Sequence, residues 1–219
     1  MDLLPSVEFE TQQNPDAAIV WLHGLGADGN DFAPIVPQLR LPGSLAVRFI
    51  FPHAPSIPVT INGGFIMPAW YDILEMNIDR KVDTAQLMQS AAKICNFVTR
   101  ELERGISSKR IIIAGFSQGG AVAYQVALSS EIPFAGLLAM SSYFATVDTI
   151  KLSEANKNIP IKIQHGIHDP VVPEALGQKA TTQLVKLGYR VNYQNYPMEH
   201  AVCPQQISDI SLWIQEILN

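Results

Sequence analysis

The run Lys109-Arg110-Ile111-Ile112-Ile113-Ala114-Gly115-Phe116-Ser117-Gln118-Gly119-Gly120-Ala121-Val122 sets a serine in a G-x-S-x-G pattern between a β-branched strand segment and a helix-forming one. A chain that turns from strand to helix in so few residues forces the serine into a sparsely populated φ/ψ region. Small neighbours such as Gly115 and Gly119 keep that turn free of clashes. The hydroxyl is thereby lifted above the sheet, and the following helix aims N–H groups and the positive end of its macrodipole at any oxyanion formed beside Ser117. A Gly-rich turn carrying an ordinary serine fits the bare pattern too; the strand before it and the helix after it favour a nucleophile.

Around this turn, short apolar runs alternate with segments of helical period, as in a mostly parallel sheet with helices on both faces. Strands are expected at Ala17 to Leu22, Ala46 to Phe51, Arg110 to Ala114, Phe134 to Met140, Pro160 to Gln164 and Tyr189 to Tyr196, all reading as buried runs. One helix is expected from Asp83 to Arg104, with Leu87, Ala91, Ile94, Val98 and Leu102 on one stripe and Gly105 at its end. Leu176, Ala180, Leu184 and Leu187 before Gly188 mark a second, and a last one starts at Pro204. The Pro- and Gly-rich stretch from Pro52 to Asp72 reads as a long ordered loop. With 219 residues, 47% of them hydrophobic, the chain is expected to form a single domain over residues 1–219.

A serine hydroxyl needs a histidine to take its proton and a carboxylate to fix that histidine's tautomer. In the α/β-hydrolase fold, which the strand–G-x-S-x-G–helix context indicates, the chain order is Ser, then Asp or Glu, then His. Of the five histidines, His23, His53, His165, His168 and His200, only His200 follows a further strand and precedes the final helix. Asp169 lies just beyond a strand's C-terminal end, where open α/β sheets place their sites; Glu174 and Asp148 are the reserves. The expected triad is therefore Ser117, His200 and Asp169.

The first strand ends in Trp21-Leu22-His23-Gly24-Leu25-Gly26-Ala27-Asp28-Gly29, a second Gly-rich turn at a strand's C-terminal edge. The N–H groups of Leu25 and Gln118 are the expected oxyanion donors. The turn lacks the spacing of either phosphate-binding glycine motif. His165, His168 and Asp169 stand near one another without a further His or Cys pair at ligand spacing, so no metal and no cofactor is expected.

A net charge of -5 and the lack of any basic block argue against nucleic acid as a partner. No apolar run approaches the 18 to 20 residues or so that span a bilayer, and residues 1–10 lack a basic n-region, so a cytoplasmic protein without a membrane span is expected.

Taken together, LHGLGADG, PVTINGGFIMPAWYD, GFSQGGA and the terminal HAVCPQQI closely resemble the phospholipase/carboxylesterase family, which includes the acyl-protein thioesterases and small bacterial carboxylesterases. The resemblance spans nearly the whole chain. It implies a carboxylic ester or thioester hydrolase with Ser117 as nucleophile, His200 as base and then acid, Asp169 as orienter, and Leu25 and Gln118 as amide donors. It further implies an acyl groove at Ile61, Phe65, Met67, Trp70, Val171 and Val172, residues that core packing would explain equally well. Substrates implied are small esters, lysophospholipids or acylated proteins, and several members of the family form homodimers. One departure stands out: Glu199 occupies the position before the histidine where the family often has glycine. Two rival functions share this scaffold, a catalytically silent binding module and a serine peptidase.

Overall fold

The computed structural model describes residues 2–75 and 80–219. In chain order, its first half contains β1 (Ser6–Glu10), β2 (Ala17–Leu22), α1 (Val36–Leu39), β3 (Val47–Pro52), β4 (Ser56–Val59), β5 (Phe65–Pro68), β6 (Ile73–Glu75), β7 (Lys81–Val82) and α2 (Thr84–Glu103). There follow β8 (Ile111–Phe116), α3 (Gln118–Ser129), β9 (Gly136–Met140), β10 (Ile161–Gly166), α4 (Glu174–Lys186), β11 (Val191–Tyr196) and α5 (Pro204–Leu218). The central sheet has seven strands in the order β1-β3-β2-β8-β9-β10-β11. β1 runs antiparallel to β3, and every other neighbouring pair in that sheet is parallel.

Strand geometry sends alternate residues to opposite faces. Ala18, Val20 and Leu22 of β2 share one apolar core with Leu87 of α2, Tyr124 of α3 and Leu184 of α4, whereas Ala17, Ile19 and Trp21 share another with Leu39 of α1 and Trp213 of α5. Helices cover both faces, so both alternating sets must be apolar, and the inner strands read as unbroken hydrophobic runs. The expected helix ends are also explained: Asp83 Oδ1 accepts from the Gln86 N–H at 2.9 Å, and Gly105, at φ +91°, closes α2 in a left-handed turn.

Three features differ from expectation. β1 adds an antiparallel edge; its Ser6-Val7-Glu8-Phe9-Glu10 alternation was a usable signal, although Phe9 is 45% exposed. β11 is the opposite edge and only half-buried, because its VNYQNY sequence carries polar side chains to solvent on the uncovered margin. The stretch from Pro52 to Asp72 contains a hairpin, β4 against β5, with Ser56 opposite Pro68 and Val59 opposite Phe65. Phe65 and its neighbour Ile66 are both 73% exposed, so no inside–outside alternation betrays the hairpin in sequence.

An ion network ties β1 to the sheet and to α2. The Glu101 carboxylate, with no exposed surface, meets Arg48 of β3 at 2.5 Å, and Arg100 of its own helix and Arg104 just past that helix's end at 3.0 Å each. Arg48 also reaches Glu10, and Arg100 reaches Glu8, both on β1. Removing the shared acceptor leaves clustered positive charge with part of its solvation gone. Glu101→Ala is expected to cost about 3 kcal/mol in urea unfolding, with kcat unaltered in the folded fraction. A change under about 0.5 kcal/mol, the range of an ordinary surface substitution, would show the network to be idle.

Candidate active site

Ser117 stands between β8 and α3 with φ +54° and ψ -120°, a backbone conformation that L-residues rarely adopt. The surroundings enforce it. The Ser117 N–H donates to the Met140 carbonyl at the end of β9 at 2.9 Å, and the Ser117 carbonyl accepts from Ser142 Oγ at 2.7 Å. One turn on, a Cβ at Gly119 would stand 2.5 Å from the Leu22 and His23 carbonyl oxygens. Only glycine lets the start of α3 lie so close to the end of β2.

The structure brings Ser117, His200 and Asp169 together. His200 Nε2 is 2.9 Å from Ser117 Oγ, and His200 Nδ1 is 2.6 Å from Asp169 Oδ2. Asp169 Oδ1 accepts from the Val171 and Val172 N–H groups at 2.9 and 2.8 Å. Burial pushes the Asp169 carboxyl up, but the hydrogen bond from His200 and those from Val172 and Val171 outweigh it and hold it below the ordinary carboxylate value. It therefore stays ionised at neutral pH. The stability it contributes is present above the unfolded-state value of roughly 3.9 and is lost as pH falls through the lower folded-state value. An acceptor-only carboxylate at Nδ1 fixes the proton there and leaves Nε2 as an acceptor facing the serine.

The two reserve carboxylates are elsewhere. Glu174 Oε1 accepts from Tyr193 Oη at 2.9 Å and Asn195 Nδ2 at 2.8 Å, and Asp148 is exposed beyond β9. Glu199, beside the histidine, is also exposed.

At the second Gly-rich turn, the Gly26 N–H donates to Pro68 and the Ala27 N–H to Gly24, while the Gly120 and Ala121 N–H groups turn back to Ser117. Among the described residues no protein acceptor takes the Leu25 or Gln118 N–H. Both lie at the C-terminal ends of neighbouring parallel strands, β2 and β8.

Several supporting side chains carry no signal in the sequence. Gln118 reaches across to the segment after β5, accepting from the Trp70 N–H at 2.8 Å and donating to the Tyr71 carbonyl at 2.6 Å. His23 lies 2.8 Å from the Gly24 carbonyl through Nδ1 and accepts from the Ala54 N–H through Nε2 at 3.1 Å, which assigns its proton to Nδ1 and braces the turn carrying Leu25. His165, wholly buried, lies 2.8 Å from the Val172 carbonyl and 3.7 Å from Asp169 Oδ2. Burial, its largest influence, holds the His165 ring below the ordinary histidine value and favours the neutral form. It steadies the loop that supplies both N–H groups to Asp169. His168 is exposed and does not join them. Among the described residues no group of three His, Cys, Asp or Glu side chains could hold a metal ion.

The six residues mapped to an acyl groove divide. Ile61, Phe65 and Met67 belong to the β4–β5 hairpin, where Phe65 is exposed and the Met67 sulfur lies beside Gly26. Val171 is 43% exposed and its carbonyl accepts from Arg80. Trp70 and Val172, 1% and 0% exposed, offer no surface to a ligand: Trp70 donates from Nε1 to the His23 carbonyl at 2.9 Å, and Val172 packs in the core.

The Phospholipase/Carboxylesterase family profile matches residues 5–218. Acyl-protein thioesterase 1 of Neurospora crassa is 37% identical over 227 aligned residues, covering 99% of this chain and 91% of that protein. Acyl-protein thioesterase 1 of Cryptococcus neoformans var. neoformans is 32% identical and covers 98% of each. Among solved structures, Zea mays acyl-protein thioesterase 2 superimposes with a TM-score of 0.88 at 27% identity, covering 99% of this chain and 100% of that one. With its mostly parallel sheet, this α/β-hydrolase-fold chain belongs to the phospholipase/carboxylesterase family of enzymes that hydrolyse ester and thioester bonds.

Proposed function

We propose that the chain hydrolyses its substrates through an acyl-enzyme on Ser117, with His200 as general base and then general acid and Asp169 as the group that orients it. The observation that carries this is the hydrogen-bond relay from Ser117 Oγ to His200 Nε2 at 2.9 Å and from Nδ1 to Asp169 Oδ2 at 2.6 Å. Ser117 Oγ attacks the carbonyl carbon as its proton passes to Nε2. The oxyanion is held by the Leu25 and Gln118 N–H groups. His200 then gives the proton to the departing oxygen or sulfur, and water, deprotonated at the same nitrogen, releases the acid.

The acyl part of the substrate lies toward the hairpin, along Ile61, Phe65 and Met67 with Val171. The names of the curated relatives, acyl-protein thioesterases, favour S-acylated proteins among the candidate substrates, with small carboxylic esters turned over by the same chemistry. Among the described residues no helix is long and apolar enough to cross a membrane.

A fluorophosphonate probe tests the nucleophile directly. It is expected to add once, and tandem mass spectrometry should place the adduct on Ser117. Labelling on another residue, or none in active protein, would remove Ser117 from this role.

A further inference from the structure

A cavity of about 510 Å³ opens beside His200, bounded by Phe32 and Ile35 from the segment after β2, by Phe116 at the elbow, and by Val202 and Ile207 from the segment entering α5. None of the hairpin residues lines it. The Phe116 ring lies 4.7 Å from the His200 ring and 5.4 Å from that of Phe32, so an aromatic wall runs from the histidine into the cavity. Exposed Asp31 stands at the edge, and no Lys or Arg lines the space.

Resting on the proposed roles of Ser117 and His200, we infer that this cavity binds the leaving group. It selects alcohols and thiols that are apolar next to the scissile bond and neutral or cationic beyond it. The reason is stereochemical. In the tetrahedral intermediate the acyl substituent and the departing heteroatom diverge from one carbon, so a single channel cannot hold both. The departing atom must lie within hydrogen-bond reach of the nitrogen that protonates it, which is His200 Nε2. Whatever is attached to that atom projects past the imidazole, and the space at the imidazole's flank is this cavity. Its Phe and Ile walls accept an apolar or aromatic stem, and the Asp31 carboxylate attracts a cation and repels a carboxylate. In a thioester of a protein cysteine, the occupant is the protein side of the substrate, so a basic rather than an acidic sequence around the acylated cysteine is favoured.

The test keeps the acyl group constant. S-methyl and S-benzyl thioacetate, acetylthiocholine and the thioacetate of 3-mercaptopropionate are compared by thiol release, in the wild type and in Val202→Trp and Asp31→Lys. The acetyl-enzyme is the same whichever thiol has left, so the effects fall on acylation and appear in kcat/KM. Val202→Trp is expected to lower the benzyl-to-methyl ratio of kcat/KM by about 10-fold or more, while the butanoyl-to-acetyl ratio for the methyl thioester shifts less than about 2-fold. Asp31→Lys, on the exposed rim, is expected to lower the cationic-to-anionic ratio by about 5-fold, less at high salt.

A Val202→Trp effect on the acyl ratio instead would make the cavity an acyl site, and unchanged leaving-group ratios in both variants would leave it without a ligand; either overturns the inference. Fluorophosphonate labelling of the wild type, located by tandem mass spectrometry, separates the two levels. Labelling at Ser117 with insensitive ratios sinks this inference alone, whereas active protein that does not label at Ser117 sinks the Ser117 mechanism and the inference with it.

Discussion

Ser117→Ala should lower kcat for p-nitrophenyl acetate by at least about 10³ while the protein stays folded. The two outcomes separate because the elbow is held by backbone, not by the hydroxyl. The bonds that fix it run from the Ser117 N–H to Met140 and from Ser142 to the Ser117 carbonyl, and both survive truncation of the side chain. Alanine meets the same positive φ as serine did, so no new strain is added. Truncation removes the hydrogen bond between Oγ and His200 Nε2, and a bond of this kind contributes roughly 1 kcal/mol net. Thermal unfolding should therefore move by only a few degrees. Residual turnover would come from the Leu25 and Gln118 donors acting on a substrate attacked by water. Retention of most of the wild-type kcat would show that the relay is not the route of catalysis.

The parts of the site legible in sequence are those where chemistry constrains the backbone locally. Glycines on either side of Ser117 are demanded by a turn that presses α3 against β2, and a strand immediately upstream of Asp169 and a helix immediately downstream of His200 put both at the carboxyl edge of the sheet. Each of these constraints acts within a few residues, so the chain displays it. The supporting contacts are of another kind. Gln118 meets Trp70 and Tyr71 only because β5 and the loop after it fold back over the sheet, and His165 meets Val172 only because the loop after β10 closes on itself. Nothing in Gln or His as residue types announces such partners. Facing direction is also hidden: Trp70 and Val172 are as hydrophobic as Phe65 and Val171, yet the first pair turns inward and the second outward. Hydrophobicity establishes that a side chain wants a neighbour, and topology decides whether that neighbour is the core or a ligand.

Replacing Asp169 with asparagine should lower kcat by about 10⁴, a larger loss than its near-identical shape suggests. The direction follows from the hydrogen bonds at each oxygen. Oδ1 accepts two backbone N–H groups, from Val171 and Val172, so the introduced amide must turn its oxygen toward them; the reverse orientation would set its NH2 against two donors. The NH2 then faces His200 Nδ1, where Oδ2 now sits at 2.6 Å, and it can only donate. Nδ1 becomes the acceptor, the ring proton moves to Nε2, and that nitrogen presents an N–H to Ser117 Oγ where the reaction needs a lone pair. The variant should keep its fold and its elbow, and fluorophosphonate labelling of Ser117 should slow in parallel with kcat. Activity within about tenfold of wild type, with a crystal structure placing the new amide oxygen on the Val171 and Val172 N–H groups, would mean that the tautomer of His200 is fixed by something other than Asp169.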